Sequence, residues 1–381
     1  MSKPEQPDRT PDKLLFTPGP LTTSLAVKEA MLHDAGSRDP GFIKLVRDIR
    51  EQLLQVGGVS RATGYEAVLM QGSGTYGVES VISSVLPRDG KLLAIVNGAY
   101  GERIVTMAAR HGIPTTALRE DEDRVPSVGA VEAALHGDRQ ITHVVAVHCE
   151  TTTGILNPVE AIGRAVKRHD CEFIVDAMSS FGAIPLDLTE TGVDYLISSA
   201  NKCLEGVPGF AFALARREAL LAAEGRARTL SLDLLAQWKG LEKDGQFRFT
   251  PPTHALLAFA QALKELADEG GVAGRGARYR ANHVALLAGM KMMGFRPYLP
   301  PEVQSSIITT FCYPADPKFV FEQFYQRLFG KGFVIYPGKL TRLDCFRIGN
   351  IGRLYPKDIQ SLLTAIESAL NEMGLTSPLK S

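Results

Sequence analysis

The fold follows from the stretch Leu196-Ile-Ser-Ser-Ala-Asn-Lys-Cys-Leu-Glu-Gly-Val-Pro-Gly209, where an apolar strand ends and Lys202 lies among small residues. Another apolar strand, Phe173–Asp176, ends 26 positions before this lysine and carries an acid at its end. Continuous apolar strands that alternate with helices are typical of a mainly parallel sheet covered on both faces. Because ligands bind at the carboxyl ends of such strands, Asp176 and Lys202 are the first candidates for a functional site.

The same alternation extends over most of the chain and predicts two domains. In the first part, the pattern predicts the strands Ala67–Gln71, Leu92–Asn97, His143–Cys149, Phe173–Asp176, Tyr195–Ser199 and Phe210–Ala215. Helices such as Tyr76–Val85, Arg103–Arg110 and Ile162–His169 lie between them. After the helix Ala255–Glu269 and a Gly-Gly break, the pattern predicts the helix Ala277–Met293, the strands Ile307–Cys312, Phe333–Tyr336 and Cys345–Gly349, and the helix Lys357–Met373. We therefore expect an N-terminal tail and loop (1–20), a large domain (21–275) and a smaller C-terminal α+β domain (276–381).

Composition restricts the classes of function. Of the 381 residues 45% are apolar, which is enough for a large core, and no apolar run is long enough to cross a bilayer. The 42 basic and 42 acidic residues cancel, which argues against a nucleic acid or an anionic membrane as partner. The five cysteines form no CxxC pair, which argues against disulfides or a metal site and favours a reducing cytoplasm. Met1–Lys13 lacks the apolar segment of a signal peptide and is expected to be a disordered tail.

A glycine-rich stretch, Gln71-Gly-Ser-Gly-Thr-Tyr-Gly77, follows one strand and begins a helix. Its glycines let the backbone approach an anion, and the N–H groups at a helix start bind phosphate. The stretch also matches the GxGxxG pattern of dinucleotide-binding oxidoreductases, but there the next strand should end in an acid, and Leu92–Asn97 ends in Asn-Gly. A purely structural turn is the third interpretation. Only a pyridoxal phosphate site also accounts for Lys202, which would bind the aldehyde, and for Asp176, which would pair with the ring nitrogen.

Three more side chains extend this hypothesis. Tyr100 lies just beyond a strand end, where its ring could stack on a flat cofactor or simply pack. Thr151, after another strand, could bind the ring hydroxyl of the cofactor. Arg347 lies inside an apolar strand and needs an anion, which could be a carboxylate or phosphonate of the substrate or an internal ion-pair partner.

From about Leu14 to Ala369, the sequence resembles the class V branch of the fold-type I pyridoxal phosphate aminotransferases. The segments that carry the resemblance are Leu21-Thr-Thr-Ser, Gln71-Gly-Ser-Gly, Val175-Asp-Ala-Met-Ser-Ser-Phe-Gly, Ser198-Ser-Ala-Asn-Lys-Cys, Ser231-Leu-Asp-Leu and Phe333-Val-Ile-Tyr-Pro-Gly-Lys. The resemblance implies a mainly parallel seven-stranded sheet, a homodimer and amino transfer. These segments are most similar to those of family members that convert 2-aminoethylphosphonate and pyruvate to phosphonoacetaldehyde and L-alanine. Alanine– and serine–glyoxylate aminotransferases share the lysine, aspartate and arginine but few of the flanking residues, and they are the alternative.

Carried over position by position, the family pattern implies a catalytic pair and a set of contacts. By this resemblance Lys202 would be the Schiff-base lysine and general base, and Asp176 would be the partner of the ring nitrogen. The other implied contacts are Ser73, Gly74, Thr75 and Asn201 with the phosphate, Tyr100 with the ring face, Thr151 with the ring hydroxyl, Thr250 with the phosphate of the neighbouring subunit, and Arg347 with the substrate anion. Asn201 and Tyr100 depart from the glutamine and tryptophan that relatives often have. A lyase or desulfurase of the same fold would need a mobile catalytic cysteine, for which Cys345 is the one candidate to check.

Overall fold

The structure, a computed structural model, describes residues 12–338, 340 and 343–379. Its strands are β1 (Leu14–Leu15), β2 (Tyr65–Gln71), β3 (Lys91–Val96), β4 (Thr115–Arg119), β5 (Ile141–Val147), β6 (Cys149–Glu150), β7 (Ile155–Leu156), β8 (Glu172–Asp176), β9 (Tyr195–Ser199), β10 (Phe210–Arg216), β11 (Ile308–Cys312), β12 (Phe333–Val334), β13 (Tyr336–Pro337) and β14 (Cys345–Gly349). Its α-helices are α1 (Leu25–Glu29), α2 (Pro40–Val56), α3 (Gly74–Val85), α4 (Ala99–Arg110), α5 (Val128–Gly137), α6 (Val159–Lys167), α7 (Leu188–Thr191), α8 (Arg217–Ala222), α9 (Leu234–Asp244), α10 (Thr253–Asp268), α11 (Gly271–Met292), α12 (Phe321–Gly330) and α13 (Pro356–Glu372). The predicted disordered tail, Met1–Lys13, lies outside the described residues except for its last two positions.

A seven-stranded sheet forms the centre of the larger part of the molecule. Its strand order is β2-β10-β9-β8-β5-β3-β4. Strand β10 runs antiparallel to both of its neighbours, and the remaining neighbouring pairs are parallel. The predicted mainly parallel seven-stranded sheet is therefore confirmed. In this order β8 and β9 are neighbours, and Asp176 pairs with Ile197. Asp176 and the residues that follow β9 therefore lie at the same end of the sheet, where the parallel strands terminate.

Two strand predictions need correction. The edge strand β4 was not predicted, because its sequence Thr-Thr-Ala-Leu-Arg is only half-buried and lacks a continuous apolar run. The predicted strand Phe333–Tyr336 is two short strands in different sheets. Strand β12 pairs with β1 in parallel, whereas β13 pairs with β14 and so approaches Arg347.

A second apolar core lies around the three-stranded sheet β11-β14-β13 and the helices α12 and α13. Helix α11 connects the two parts: Gly276 packs against the carbonyl of Ala183 in the first part, while Leu286 and Met290 are buried in the second core. The helix begins at Gly271, six residues earlier than predicted, because the glycine pair that indicated a break forms its start instead. The division at residue 275 remains a prediction.

No helix in the described ranges is both long enough and apolar enough to span a membrane.

Candidate active site

Lys202 lies in the loop after β9 and contacts the N-terminal segment of the chain. Its Nζ donates a hydrogen bond to the carbonyl oxygen of Pro18 at 2.7 Å. A Cβ atom placed on Gly19 would lie 2.7 Å from the same Nζ, so a side chain at this position would displace the lysine amine. The Thr17–Pro20 loop therefore packs directly against the lysine.

Asp176 ends β8 with a carboxylate that is 4% exposed. The backbone N–H of Met178 donates to its Oδ1 at 2.9 Å, and no cationic side chain among the described residues lies within ion-pair distance. Burial raises the pKa of Asp176 to about 6, although Met178 and the positive charges of Lys202 and Arg103 act in the opposite direction. Such a carboxylate is suited to a cationic partner that the chain itself does not supply.

The glycine-rich stretch forms the start of α3, as an anion site requires. Ser73 is the N-cap residue, and its side chain does not cap its own helix. The first N–H groups of a helix lack intrahelical acceptors, so they can bind a phosphate at this end. A Cβ atom on Gly74 would lie 2.3 Å from the sulfur of Met178, so the glycine lets the two segments approach.

Tyr100, in the first turn of α4, is held by a buried acid from the neighbouring strand end. The N–H groups of Tyr100 and Gly101 donate to Oε2 of Glu150 at 3.1 and 3.3 Å. The guanidinium of Arg103 lies 4.8 Å from the centre of the Tyr100 ring and donates to Oγ1 of Thr75 at 3.3 Å. Sequence reasoning did not select Arg103. Its position one helical turn after Tyr100 could have identified it, because residues i and i+3 share a helix face.

A cavity of about 180 Å³ brings most of the candidate residues together. The sequence-predicted residues that line it are Ser73, Gly74, Thr75, Tyr100, Asp176, Asn201 and Lys202. Arg103 and Met178 also line it. Thr151, Thr250 and Arg347 do not belong to this lining.

These three residues lie elsewhere. Thr151 is buried, and its carbonyl oxygen accepts a hydrogen bond from Nη1 of Arg347 at 2.8 Å. Thr250 is exposed, and its carbonyl oxygen accepts from Nε2 of Gln71 at 3.3 Å. Thr250 is thus close in space to the residue that precedes the glycine-rich stretch but outside the cavity of its own chain.

Arg347 is a buried cation in the strand β14. It is 1% exposed, and it donates through Nε to the carbonyl oxygen of Pro337 at 3.0 Å and through Nη1 to Thr151. No acidic side chain of the described residues forms an ion pair with it, so the internal ion pair considered from sequence is not observed. Burial lowers the pKa of the guanidinium, which shows that the surroundings disfavour the charge. An anionic substrate would offset this cost.

The cysteines argue against a cysteine-dependent lyase. All five are buried free thiols, and Cys345 lies within β14 rather than in a mobile loop. Burial raises the pKa of Cys149 to about 12. Thiols in such surroundings are poor nucleophiles.

The residues around the cavity fit pyridoxal phosphate. Its phosphate matches the start of α3, its aldehyde matches the amine of Lys202, and its ring nitrogen matches the buried carboxylate of Asp176. The unpaired carboxylate is the most specific of the three features, because a buried charge needs a partner. A dinucleotide would account for neither Asp176 nor Lys202.

Comparison with known proteins agrees with this interpretation. A family model described as aminotransferase class-V matches residues 25–319. The 2-aminoethylphosphonate–pyruvate transaminase of Klebsiella pneumoniae is 54% identical over 359 residues, which cover 94% of this chain and 97% of the relative. Among solved structures, an alanine–glyoxylate aminotransferase from Nostoc sp. has a TM-score of 0.87 at 26% identity and covers 96% of this chain and 97% of its own. A ureidoglycine–glyoxylate aminotransferase from Bacillus subtilis has a TM-score of 0.88 at 24% identity, covers 98% of this chain and 96% of its own, and shows the shared fold.

Proposed function

Because the chain belongs to the class V aminotransferase family, we propose that it transfers the amino group of 2-aminoethylphosphonate to pyruvate. The products are phosphonoacetaldehyde and L-alanine. The observation that carries this substrate is the 54% identity, over 94% of the chain, to a 2-aminoethylphosphonate–pyruvate transaminase. Arg347, a buried guanidinium without an acidic partner among the described residues, would bind the anionic end of the substrate. Its planar fork can bind a phosphonate in one half-reaction and a carboxylate in the other.

Pyridoxal phosphate is the cofactor of this family, and when bound it supplies an electron-withdrawing ring that acidifies the carbon bearing the amine. Asp176 would hold a positive charge on the ring nitrogen, because a cation would stabilise its buried carboxylate. Ser73, Gly74 and Thr75 would hold the phosphate, together with Asn201. Tyr100 would cover one face of the ring, and Thr151 would bind the ring hydroxyl.

Lys202 is the group that transfers a proton in each half-reaction. Its Nζ accepts the proton from the amine-bearing carbon of the substrate and later delivers a proton to complete the transfer. In the second half-reaction the same atom moves a proton in the opposite direction, onto the carbon that becomes the α-carbon of alanine. Arg347 positions both substrates by their anionic ends, so the two substrates use one site in turn and ping-pong kinetics are expected.

A homodimer completes the site in this proposal. Thr250 binds the cofactor phosphate of the neighbouring subunit, which agrees with its exposure and its absence from the cavity of its own chain. Two large apolar side chains near it, Phe249 and Tyr76, are 45% and 54% exposed and would be covered in a dimer. The measurement is the mass of the protein in solution by light scattering.

The cellular location belongs to the same proposal. Five buried free thiols agree with a protein that functions in a reducing cytoplasm. Fractionation of cells that produce the protein, followed by immunoblotting, tests this location.

The substrate assay tests the function directly. The purified enzyme is supplied with 2-aminoethylphosphonate and pyruvate, and in parallel with serine and glyoxylate, and the amino acid products are quantified. We expect alanine to form at least about tenfold faster in the first mixture than glycine in the second, because a difference of about 1.4 kcal/mol in transition-state binding between the two substrate pairs gives a factor of this size. Faster turnover of serine and glyoxylate would identify a glyoxylate aminotransferase instead. A colourless protein that binds NAD would exclude both.

A further inference from the structure

Glu205, three residues after Lys202, has an unusual backbone conformation. Its φ is +58°, in the left-handed region that non-glycine residues rarely adopt. Its N–H donates to the carbonyl oxygen of Lys202 at 2.8 Å, so this conformation closes the turn that carries the lysine. A glycine would adopt it without strain, whereas another residue costs about 1–3 kcal/mol. A glutamate at this position therefore indicates that its side chain is needed.

The side chain of Glu205 is bound by two residues of α11. It is 2% exposed, and its Oε1 accepts hydrogen bonds from Nη2 of Arg278 at 2.7 Å and from the hydroxyl of Tyr279 at 2.6 Å. One turn earlier in α11, Nη1 of Arg275 donates to the carbonyl oxygen of Cys203 at 2.5 Å. Two residues of the lysine turn, Cys203 and Glu205, are therefore attached to one helix.

A second carboxylate balances the charges of this cluster. Glu269 accepts hydrogen bonds from Nε of Arg275 and from Nε of Arg278, each at 2.6 Å. Two buried guanidinium groups thus face two carboxylates, Glu205 and Glu269. Such a balanced set tolerates burial, whereas removal of one charge leaves another unpaired.

The same face of α11 also binds the segment that follows β14, the strand of Arg347. Nη1 of Arg278 donates to the carbonyl oxygens of Gly352 and Leu354 at 2.5 and 3.0 Å. The N–H of Gly352 donates to the hydroxyl of Tyr279 at 3.2 Å. Arg278 and Tyr279 therefore contact the lysine turn and the segment that follows the arginine strand at the same time.

We propose that Glu205 is a positioning residue that, through Arg278 and Tyr279, sets the placement of Lys202 relative to Arg347. This inference rests on the proposed function, in which Arg347 holds the anionic end of the substrate while Lys202 moves a proton a few bonds away. Both substrates hold the reacting carbon within two bonds of the anionic group, which limits the separation that the two side chains can have. A misplacement of about 1 Å can cost a factor of about 100 in rate, so a rigid connection between the two elements serves the reaction.

The test compares two buried glutamates. Glu205→Gln keeps the size of the side chain and one acceptor oxygen but removes the charge. The matched control is Glu66→Gln: Glu66 is 1% exposed and accepts from Nε and Nη2 of Arg217 at 2.8 and 2.6 Å. It lies at the beginning of β2, whereas the glycine-rich stretch follows the other end of this strand.

Both variants are expected to unfold at lower temperature than the wild type, but only Glu205→Gln should change the kinetics. Its kcat with 2-aminoethylphosphonate and pyruvate should fall by roughly tenfold or more, while KM changes by less than about threefold, because Arg347 still binds the substrate. Hydrogen exchange followed by mass spectrometry should show faster exchange of amides 200–206 in this variant and not in the control. This second readout requires neither substrate nor cofactor.

A Glu205→Gln enzyme with a kcat within twofold of the control, or with unchanged exchange in the lysine turn, would overturn the proposal. If Glu205→Gln fails to fold, the proposal is tested with Tyr279→Phe, which removes a single hydroxyl. The same two measurements, kcat and hydrogen exchange of the lysine turn, then apply. A wild-type enzyme without activity on 2-aminoethylphosphonate would refute the proposed function. The exchange comparison would then still show whether Glu205 holds the turn.

Discussion

The buried carboxylate of Asp176 lowers the stability of the folded protein when no cofactor is bound. Burial raises the pKa of its carboxyl to about 6, whereas an exposed aspartate titrates near about 3.9. The folded protein therefore binds this proton more tightly than the unfolded chain does. The ionised carboxylate lowers stability at neutral pH, and this penalty is lost as the pH falls through about 6.

Asp176→Asn should consequently stabilise the cofactor-free protein while it abolishes turnover. The amide can still accept the hydrogen bond from Met178 but carries no charge, so we expect a gain of roughly 2 kcal/mol in the free energy of unfolding at neutral pH. The gain should shrink when the pH is lowered below about 6. Denaturant unfolding of both cofactor-free proteins at two pH values measures this. A variant that is less stable than the wild type at neutral pH would contradict the account.

Arg347→Lys tests the anion site separately from the cofactor site. Lysine keeps the positive charge but loses the fork that can bind an anion with two parallel hydrogen bonds. We expect KM to rise by about tenfold or more for both 2-aminoethylphosphonate and pyruvate. The affinity for pyridoxal phosphate should not change, because Arg347 does not line the cavity. An increase of KM for only one substrate would mean that the two anions bind at different positions.

Apart from Arg347, which lies inside β14, and Thr250, which follows α9, the site residues that sequence could predict lie at or just beyond the end of a strand. Asp176, Lys202 and Ser73 belong to this class, and a parallel sheet necessarily brings such ends to one edge. Arg103 was missed because it projects from a helix face rather than a strand end. The buried contacts of Glu205 depend on a helix about 70 residues away, and a single sequence contains no signal for them.

At the level of elements, the start of α4 depends on an acid outside the helix. The Oε1 atom of Glu150 accepts from both the N–H and the hydroxyl of Thr152, and Oε2 accepts from the N–H groups of Tyr100 and Gly101. Burial raises the pKa of Glu150, whereas these four donors favour its ionised form. The carboxylate thus joins the end of one strand to the helix that presents the Tyr100 ring.

Glu150→Gln should therefore loosen α4. The amide offers one acceptor oxygen, and its NH2 group would face donors, so we expect a loss of roughly 1–3 kcal/mol in the free energy of unfolding. The affinity for pyridoxal phosphate should fall as well, because Tyr100 is no longer held. The control is Glu102→Gln on the exposed face of α4, where Glu102 pairs with Arg119, and there we expect less than about 0.5 kcal/mol. Equal losses in the two variants would show that Glu150 has no special role.

The predicted elements of the main sheet were accurate where the strands are buried on both sides. Strand β9 was predicted at its observed bounds, and most others within two residues, because continuous apolar runs bounded by turns are distinctive. The half-buried edge strand β4 lacks such a run and was missed. The division of Phe333–Tyr336 into β12 and β13 is set by two separate pairing partners, β1 and β14, which local sequence does not reveal.

At the level of the whole molecule, the candidate site draws on distant parts of the chain. The Pro18 carbonyl contacts Lys202, and Arg347 contacts Thr151 across the two parts of the molecule. Of the three predicted residues outside the cavity lining, Thr250 is the one that the family pattern assigns to the neighbouring subunit. The proposed dimer therefore has a direct functional test.

Two variants that are inactive on their own should form an active mixed dimer. Lys202→Ala removes the proton-transfer group, and Thr250→Asp places a negative charge where the cofactor phosphate of the neighbouring subunit would bind. In a mixed dimer, one site combines an intact Lys202 with an intact Thr250 from the partner, whereas the other site contains both changes. The isolated mixed dimer should have roughly half of the wild-type activity, because one of its two sites is intact. Co-expression with two different affinity tags and isolation of the doubly tagged dimer measures this, with each variant purified alone as the control. If Thr250 instead served the site of its own chain, every site in the mixed dimer would contain one change, and no activity would return.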